Sequence, residues 1–379
     1  MRVLGIKGVL QCGQVSKRLR AISNDQSLWL KLNLSQRDIP YDFIEKAIQN
    51  GCKNLNIAFS SVNGGKKSDM PWKLKCLVMN QTFLHERKLE PPKGVLENCR
   101  SLQKLSVDNL RLNSFDIEQI CQNGETLQTL SLEGCNVDFH LRTGLIQKLF
   151  TKCSQLSELN ISKGVGGFYG DKIILDPHVC ALVDNLTPDI LKLNLGAQLC
   201  VQDKHVETLV RRCNKIKELD LSFALITNDA MECIIKNLNY LEKLDVHYTI
   251  IDFSTLLQLK SVPTLKMLRC FDSRKTEKEN NEMIKNLKLQ LPHISINEEE
   301  DLNIACPRKE VNGFIDRDWF WEIRAKPQDL FPKLERIRKR FKCPHCELSF
   351  VFKHNLKIHS EQYHTELHDI ALNEKENSQ

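Results

Sequence analysis

From about Cys52 to Cys270 the chain repeats one pattern of apolar and polar positions, and its plainest copy is Ile216-Lys217-Glu218-Leu219-Asp220-Leu221-Ser222. Ile216, Leu219 and Leu221 are apolar and the residues between them polar, so the end of the copy alternates like a short half-buried strand. Behind it, Met231, Ile234, Ile235 and Leu238 are spaced as on one face of a helix, which predicts a helix over Asn228 to Leu238. The central strand leucines fall at Leu77, Leu105, Leu130, Leu159, Leu193, Leu219, Leu244 and Leu268, in steps of 28, 25, 29, 34, 26, 25 and 24 residues. The long step holds the glycine-rich run Gly164 to Gly170, which reads as a surface loop.

A strand, a turn and a helix at this period make a leucine-rich repeat. A single copy cannot bury its apolar face, but stacked copies share one core, so the expected fold class is an α/β leucine-rich-repeat solenoid over residues 50–300. Parallel strands line its concave face and helices lie outside. Four copies open alike, at Cys52-x-x-Leu55, Cys99-x-x-Leu102, Cys153-x-x-Leu156 and Cys213-x-x-Ile216. These periodic cysteines are read as small reduced core residues. Polar residues between the core leucines, among them Lys104, Glu158, Lys192, Glu218, Asp220, Lys243 and Asp245, face the concave side. Just past the strands Phe223, His247, Tyr248 and Phe271 add ring contacts on successive copies, and as a set they predict a protein-binding face.

The chain of 379 residues has 41% apolar residues and a net charge of +6. Between Lys333 and Lys357 there are eight Lys or Arg against two Glu, so the excess charge is concentrated there. No run of eighteen apolar residues exists, and the opening seven residues are broken by charge, so no membrane partner and no secretory route are expected. No paired carboxylates, triad or nucleotide-cradling loop emerge, so a non-catalytic protein is expected.

The C-terminal segment carries different chemistry. Cys343, Cys346, His359 and His364 have C-x2-C-x12-H-x4-H spacing, with Phe350 and Leu356 as the small apolar core of a ββα zinc finger. Two thiolates on a hairpin and two imidazoles about one helical turn apart close a tetrahedral zinc site, so Zn is the expected cofactor. The finger with its basic approach spans residues 333–366, and a disordered tail follows at 367–379. At the base-facing helix positions stand Phe352, Asn355 and Ile358, of which only Asn355 can hydrogen-bond a base edge. DNA is therefore a weak expected partner. The runner-up reading is a nuclear zinc-finger nucleic-acid-binding protein with a repeat interaction domain.

Near the N-terminus Val15, Ser16, Lys17, Arg18, Asp25, Ser27, Leu28 and Trp29 stand in an order that resembles the second half of an F-box. Without the proline- and leucine-rich helix that opens that module before Leu10, residues 1–34 are expected to form a small helical F-box remnant. The runs Leu209 to Cys213, Leu219 to Ser222, Leu238 to Leu241, Pro263 to Leu268 and Leu291 to Asn297 resemble the S-phase kinase-associated protein 2 family. Phe320-Trp321-Glu322-Ile323 is similar to the tail segment, here residues 301–332, that folds across the sheet in that family.

The resemblance implies a substrate receptor of an SCF ubiquitin ligase complex, working in cell-cycle protein degradation in nucleus and cytoplasm. Val15, Leu28 and Trp29 would face the cullin adaptor. Asp220, Phe223, Asp245, His247, Tyr248 and Trp321 would face phosphorylated protein substrates, together with a cyclin-dependent-kinase-binding accessory subunit. For the finger, stripping zinc with a chelator is expected to unfold only the C-terminal module and to leave the cooperative melt of the repeats unchanged in circular dichroism. Joint loss of both transitions would contradict independent modules.

Overall fold

The computed structural model describes residues 11–298, apart from 12–13, 65–70, 81–89, 138–142, 163–175, 199 and 273, together with two short strands at Phe341–Lys342 and Ser349–Phe350. The chain divides into two units, Met1–Ile315 and Asp316–Gln379.

In chain order the strands of the first unit are β1 Lys31–Asn33, β2 Asp38–Pro40, β3 Asn54–Asn56, β4 Ser61–Asn63, β5 Cys76–Val78, β6 Lys104–Ser106, β7 Arg111–Leu112 and β8 Thr129–Ser131. They continue with β9 Asn136–Val137, β10 Glu158–Asn160, β11 Lys192–Asn194, β12 Glu218–Asp220, β13 Lys243–Thr249, β14 Met267–Asp272 and β15 Ser295–Ile296. Among the described residues, β1, β3, β5, β6, β8 and β10 to β15 form one eleven-stranded parallel sheet in that order. The pairs β2–β4 and β7–β9 make small parallel bridges of their own.

At the strand centres the register holds from Leu32 to Leu268, Leu32 pairing with Leu55, Leu55 with Leu77, and so on to Leu244 with Leu268, with one shift farther along β13 between His247 and Thr249; at the last edge Leu268 pairs with Ile296. Three buried columns explain it. The strand centres form one. Three residues earlier stand Trp29, Cys52, Leu74, Leu102, Leu127, Leu156, Ile190, Ile216, Leu241 and Leu265, and two residues later Leu34, Ile57, Met79, Val107, Leu132, Ile161, Leu195, Leu221, Val246 and Cys270. A one-residue slip would turn all of them out of the core together.

Two expectations are corrected by this register. The sheet starts at Lys31, well before residue 50, because Trp29 takes the place that an isoleucine or leucine holds in later copies. Cys52 stands in that same column, so it matches Leu102 and Ile216 and is three residues out of step with Cys99, Cys153 and Cys213.

Four residues past the strand centre the backbone turns left-handed in seven described copies, at Gln36, Phe59, Asn109, Gly134, Ala197, Phe223 and Tyr248, with φ between 58° and 64°. The turn aims the amide of that residue at the next copy: Gln36 N–H donates to Ala58 O, Asn109 to Glu133 O, and Phe223 to His247 O, at 3.0, 2.8 and 2.8 Å. Parallel hydrogen bonding therefore runs past the short strands and through the turns.

Helices close the other side of the unit. The expected helix is present as Asn228–Asn237, capped by Thr227 and burying Ala230, Met231 and Ile234. It packs beside the helix Asp203–Arg212. The glycine-rich run Gly164 to Gly170 lies outside the described residues.

Leu219 is fully buried at the strand centre of the plainest copy, whereas Leu289 is 77% exposed on the helix Glu277–Gln290. Leu219→Ala is expected to lower unfolding stability by about 3 kcal/mol in urea titration, and Leu289→Ala to shift it by less than about 0.5 kcal/mol.

Candidate protein-binding surface

The residue after each strand centre points to the face away from the helices. In most copies it is a carboxamide or carboxylate that accepts the amide two residues on. Asn33 Oδ1 takes Ser35 N at 3.1 Å, Asn56 takes Ala58 N at 2.9 Å, Asn160 takes Ser162 N at 3.0 Å and Asn194 takes Gly196 N at 2.8 Å. Asp220 and Asp245 do the same for Ser222 N and His247 N, both at 2.9 Å. These side chains are thus first of all clamps on the left-handed turn.

The two aspartates bring charge into a column otherwise held mainly by Asn and Ser. Asp245 is buried and ion-paired with Arg269, its Oδ2 2.8 Å from Nη1. Asp220 is half-buried and accepts both Ser222 N and Ser222 Oγ, the latter at 2.7 Å. Burial first, and then the Asp245 carboxylate, holds the Asp220 carboxyl above the ordinary carboxylate range.

The residue before each strand centre alternates in sign along the later copies. Lys192 pairs with Glu158 at 3.2 Å and Lys243 with Glu218 at 3.1 Å. Cross-strand neighbours of opposite charge neutralise each other here. The expected mixed surface is therefore internally paired. In the middle copies, Ser106, Asp108, Ser131 and Asn160 are buried, and Asp108 accepts Asn80 Nδ2, Ser131 Oγ and Glu133 N at 3.0, 2.6 and 3.0 Å.

The aromatic set expected past the strands is assembled as one cluster. Phe223 and Tyr248 ring centroids lie 4.7 Å apart, Tyr248 and Phe271 4.8 Å, and His247 stands edge-on to Tyr248 at 4.4 Å. Burial, and then the charge of Arg269, pushes the His247 imidazole down to about 3, so it is neutral at physiological pH. Its Nδ1 is buried without a hydrogen-bond partner among the described residues. Phe223 and His247 are half-buried, while Tyr248 is buried and offers a partner only a rim. Arg269, absent from the sequence-based site, joins it by bridging to Asp245; its position, after the strand centre of β14, carried the signal.

At the N-terminal end Ser16 caps the helix Lys17–Ser23 and Asp25 caps Gln26–Trp29. Val15 is 75% exposed, and Ile22 and Leu30 are 43% and 42% exposed, an apolar set on short helical segments. Leu28 is half-buried. Trp29 is fully buried, donates Nε1–H to Ser23 O at 2.7 Å and packs near Phe43, because it is a core residue of the first copy. Its expected contact with an adaptor is corrected accordingly.

Trp321 and the four expected zinc ligands Cys343, Cys346, His359 and His364 lie outside the described residues. The strands β16 Phe341–Lys342 and β17 Ser349–Phe350 pair antiparallel, Phe341 opposite Phe350.

A family model described as the SKP2 LRR domain matches residues 42–328. The chain belongs to the SKP2 leucine-rich-repeat domain family. Among solved structures, a TLR13–ssRNA13 complex is similar with 16% identity and a TM-score of 0.41, over 68% of this chain and 35% of that one. This chain spans about a third of the length of that protein. An SKP2-type leucine-rich-repeat domain is a protein-interaction repeat module.

Asn33, Asn56, Asn160 and Asn194 hold the Asp220 position and accept the same amide, which makes Asp220→Asn a mild change that keeps the Oδ1 acceptor for Ser222. A carboxyl whose folded value is raised stabilises the fold below its ordinary range, and that contribution is lost as pH climbs through the raised value. Asp220→Asn is therefore expected to be more stable than the parent by about 1 kcal/mol at pH 8, with the difference vanishing near pH 4 in urea titrations. An equal difference at both pH values would contradict a buried charge.

Proposed function

We propose that this protein is the substrate-holding, non-catalytic subunit of an SCF-type cullin-RING ubiquitin ligase. The match to the SKP2 repeat domain over residues 42–328 carries this reading. The exposed apolar set Val15, Ile22 and Leu30 supports adaptor docking at the N-terminal segment. The ring cluster of Phe223, His247, Tyr248 and Phe271 supports target binding on the strand face, since clustered aromatics are favoured interface anchors.

The targets of this reading are phosphorylated cell-cycle regulators held with a kinase-binding accessory subunit, and the protein works in nucleus and cytoplasm. A phosphoryl group on this face would be met by Lys192, Lys243 or Arg269, each of which it must share with Glu158, Glu218 or Asp245. Charge-assisted bonds are strong enough for that exchange. The four-ligand C-terminal segment would hold zinc as a structural ion, stabilising a module too small to fold on apolar burial alone.

Affinity purification of the full chain from cells tests the reading. Cullin adaptor and ubiquitylated proteins are expected to copurify. A Val15→Asp, Ile22→Asp variant should lose the adaptor and keep the targets, and a Phe223→Ala, Phe271→Ala variant should do the reverse. Recovery of nucleic acid with no adaptor would favour the zinc-finger reading instead.

A further inference from the structure

The repeat helices hold a second arrangement that the strand face does not use. Cys180, on the helix Asp176–Asn185, has its Sγ 3.5 Å from Nε2 of His205 on the neighbouring helix Asp203–Arg212. His205 is buried, and its Nδ1 accepts the Gln202 backbone N–H at 3.0 Å as part of the helix cap. A ring nitrogen that accepts an amide hydrogen carries no proton itself, so the ring's proton sits on Nε2. The Cys180 sulfur therefore faces an N–H donor, fixed in place by the cap of a ten-residue helix.

That environment favours a thiolate. A sulfur anion gains more from an N–H donor than a neutral thiol does, and the positive end of the helix dipole lies on the same side. Most of the other described thiols contrast with it. Burial pushes Cys52, Cys99, Cys153 and Cys270 up to about 12, and Cys76, Cys121 and Cys213 up to about 11. Burial also raises Cys233, and Cys135 donates its thiol hydrogen to Val107 O at 3.0 Å, which favours the protonated form. Cys180 is half-buried, so a small reagent can reach it.

We propose that Cys180, paired with His205, is a peroxide-sensitive modification site on the helical side of the repeats. In the reaction the thiol's proton passes to solvent and the thiolate attacks one oxygen of a hydroperoxide. The S–O bond forms as the O–O bond breaks. Hydroxide or alkoxide leaves and takes a proton from water, the sulfur is oxidised by two electrons and the peroxide is reduced by two. The product is a sulfenic acid, which a cellular thiol returns through a mixed disulfide.

The test uses the full chain under native conditions. Sub-stoichiometric iodoacetamide, followed by peptide mass spectrometry, is expected to alkylate Cys180 at least ~10-fold faster than Cys135, Cys200 or Cys233, in line with thiolate control of the rate. Hydrogen peroxide with dimedone should tag the same residue first. His205→Phe removes the N–H donor and should bring Cys180 down to the rate of Cys233. Core Cys213 is the folding control, since its labelling would report an unfolded variant. Wild-type Cys180 reacting no faster than Cys233 overturns the proposal without any variant, and so does unchanged reactivity in a folded His205→Phe protein.

Discussion

The repeat unit depends on register. Each strand of three residues contributes too few ladder bonds to fix its neighbour, and the stacking succeeds because three apolar columns and one polar column repeat in phase. The polar column is the less obvious half. A side chain such as Asn56 or Asn194 accepts the amide just before the left-handed residue, whose own amide then bonds to the next copy. Remove the clamp and the turn loses its lock; remove the turn and the ladder ends with the strand.

That constraint limits where the strand face can carry function. A position that must accept a backbone amide tolerates Asn, Asp or Ser and little else, so variation there is a choice of charge rather than of shape. The chain uses that choice at Asp220 and Asp245, next to the aromatic cluster, and balances it with Arg269. Burial and the neighbouring Asp245 carboxylate both act against ionisation of Asp220. Farther toward the N-terminus the same column carries Asn160 and Asn194, and the charge-bearing column beside it neutralises itself in Glu–Lys pairs.

Most of this architecture was legible in the sequence because leucine periodicity is the direct imprint of the buried columns. The eight strand-centre leucines are all strand centres in the sheet. What escaped were the first two strands of the sheet, where Trp29 and Cys52 replace the aliphatic residue that marks a copy. The strand face was legible by position but not by state. Alternation tells which side a residue faces; it does not tell that Asp245 is buried under an arginine or that Tyr248 is covered by its neighbours. Nor could it bring Cys180 to His205, since these lie 25 residues apart on adjacent helices and neither belongs to the leucine pattern.

The aromatic cluster itself follows from the turn constraint. Phe223 and Tyr248 stand in left-handed backbone, at φ 61° and 59°, a conformation that costs a residue with a side chain roughly 1–2 kcal/mol. Other copies meet the same demand with Gln36, Phe59, Asn109, Gly134 or Ala197. A ring pair at 4.7 Å returns about 0.5–1.5 kcal/mol, which offsets the cost of one such residue and leaves the second uncompensated by stacking alone. Burial of Tyr248 supplies part of the remainder, but Phe223 is only half-buried. Two bulky rings in successive left-handed positions are therefore poorly accounted for by stability within the repeats. Under the proposed function they would be accounted for by target binding, with stacking holding the two rings rigid before a target arrives.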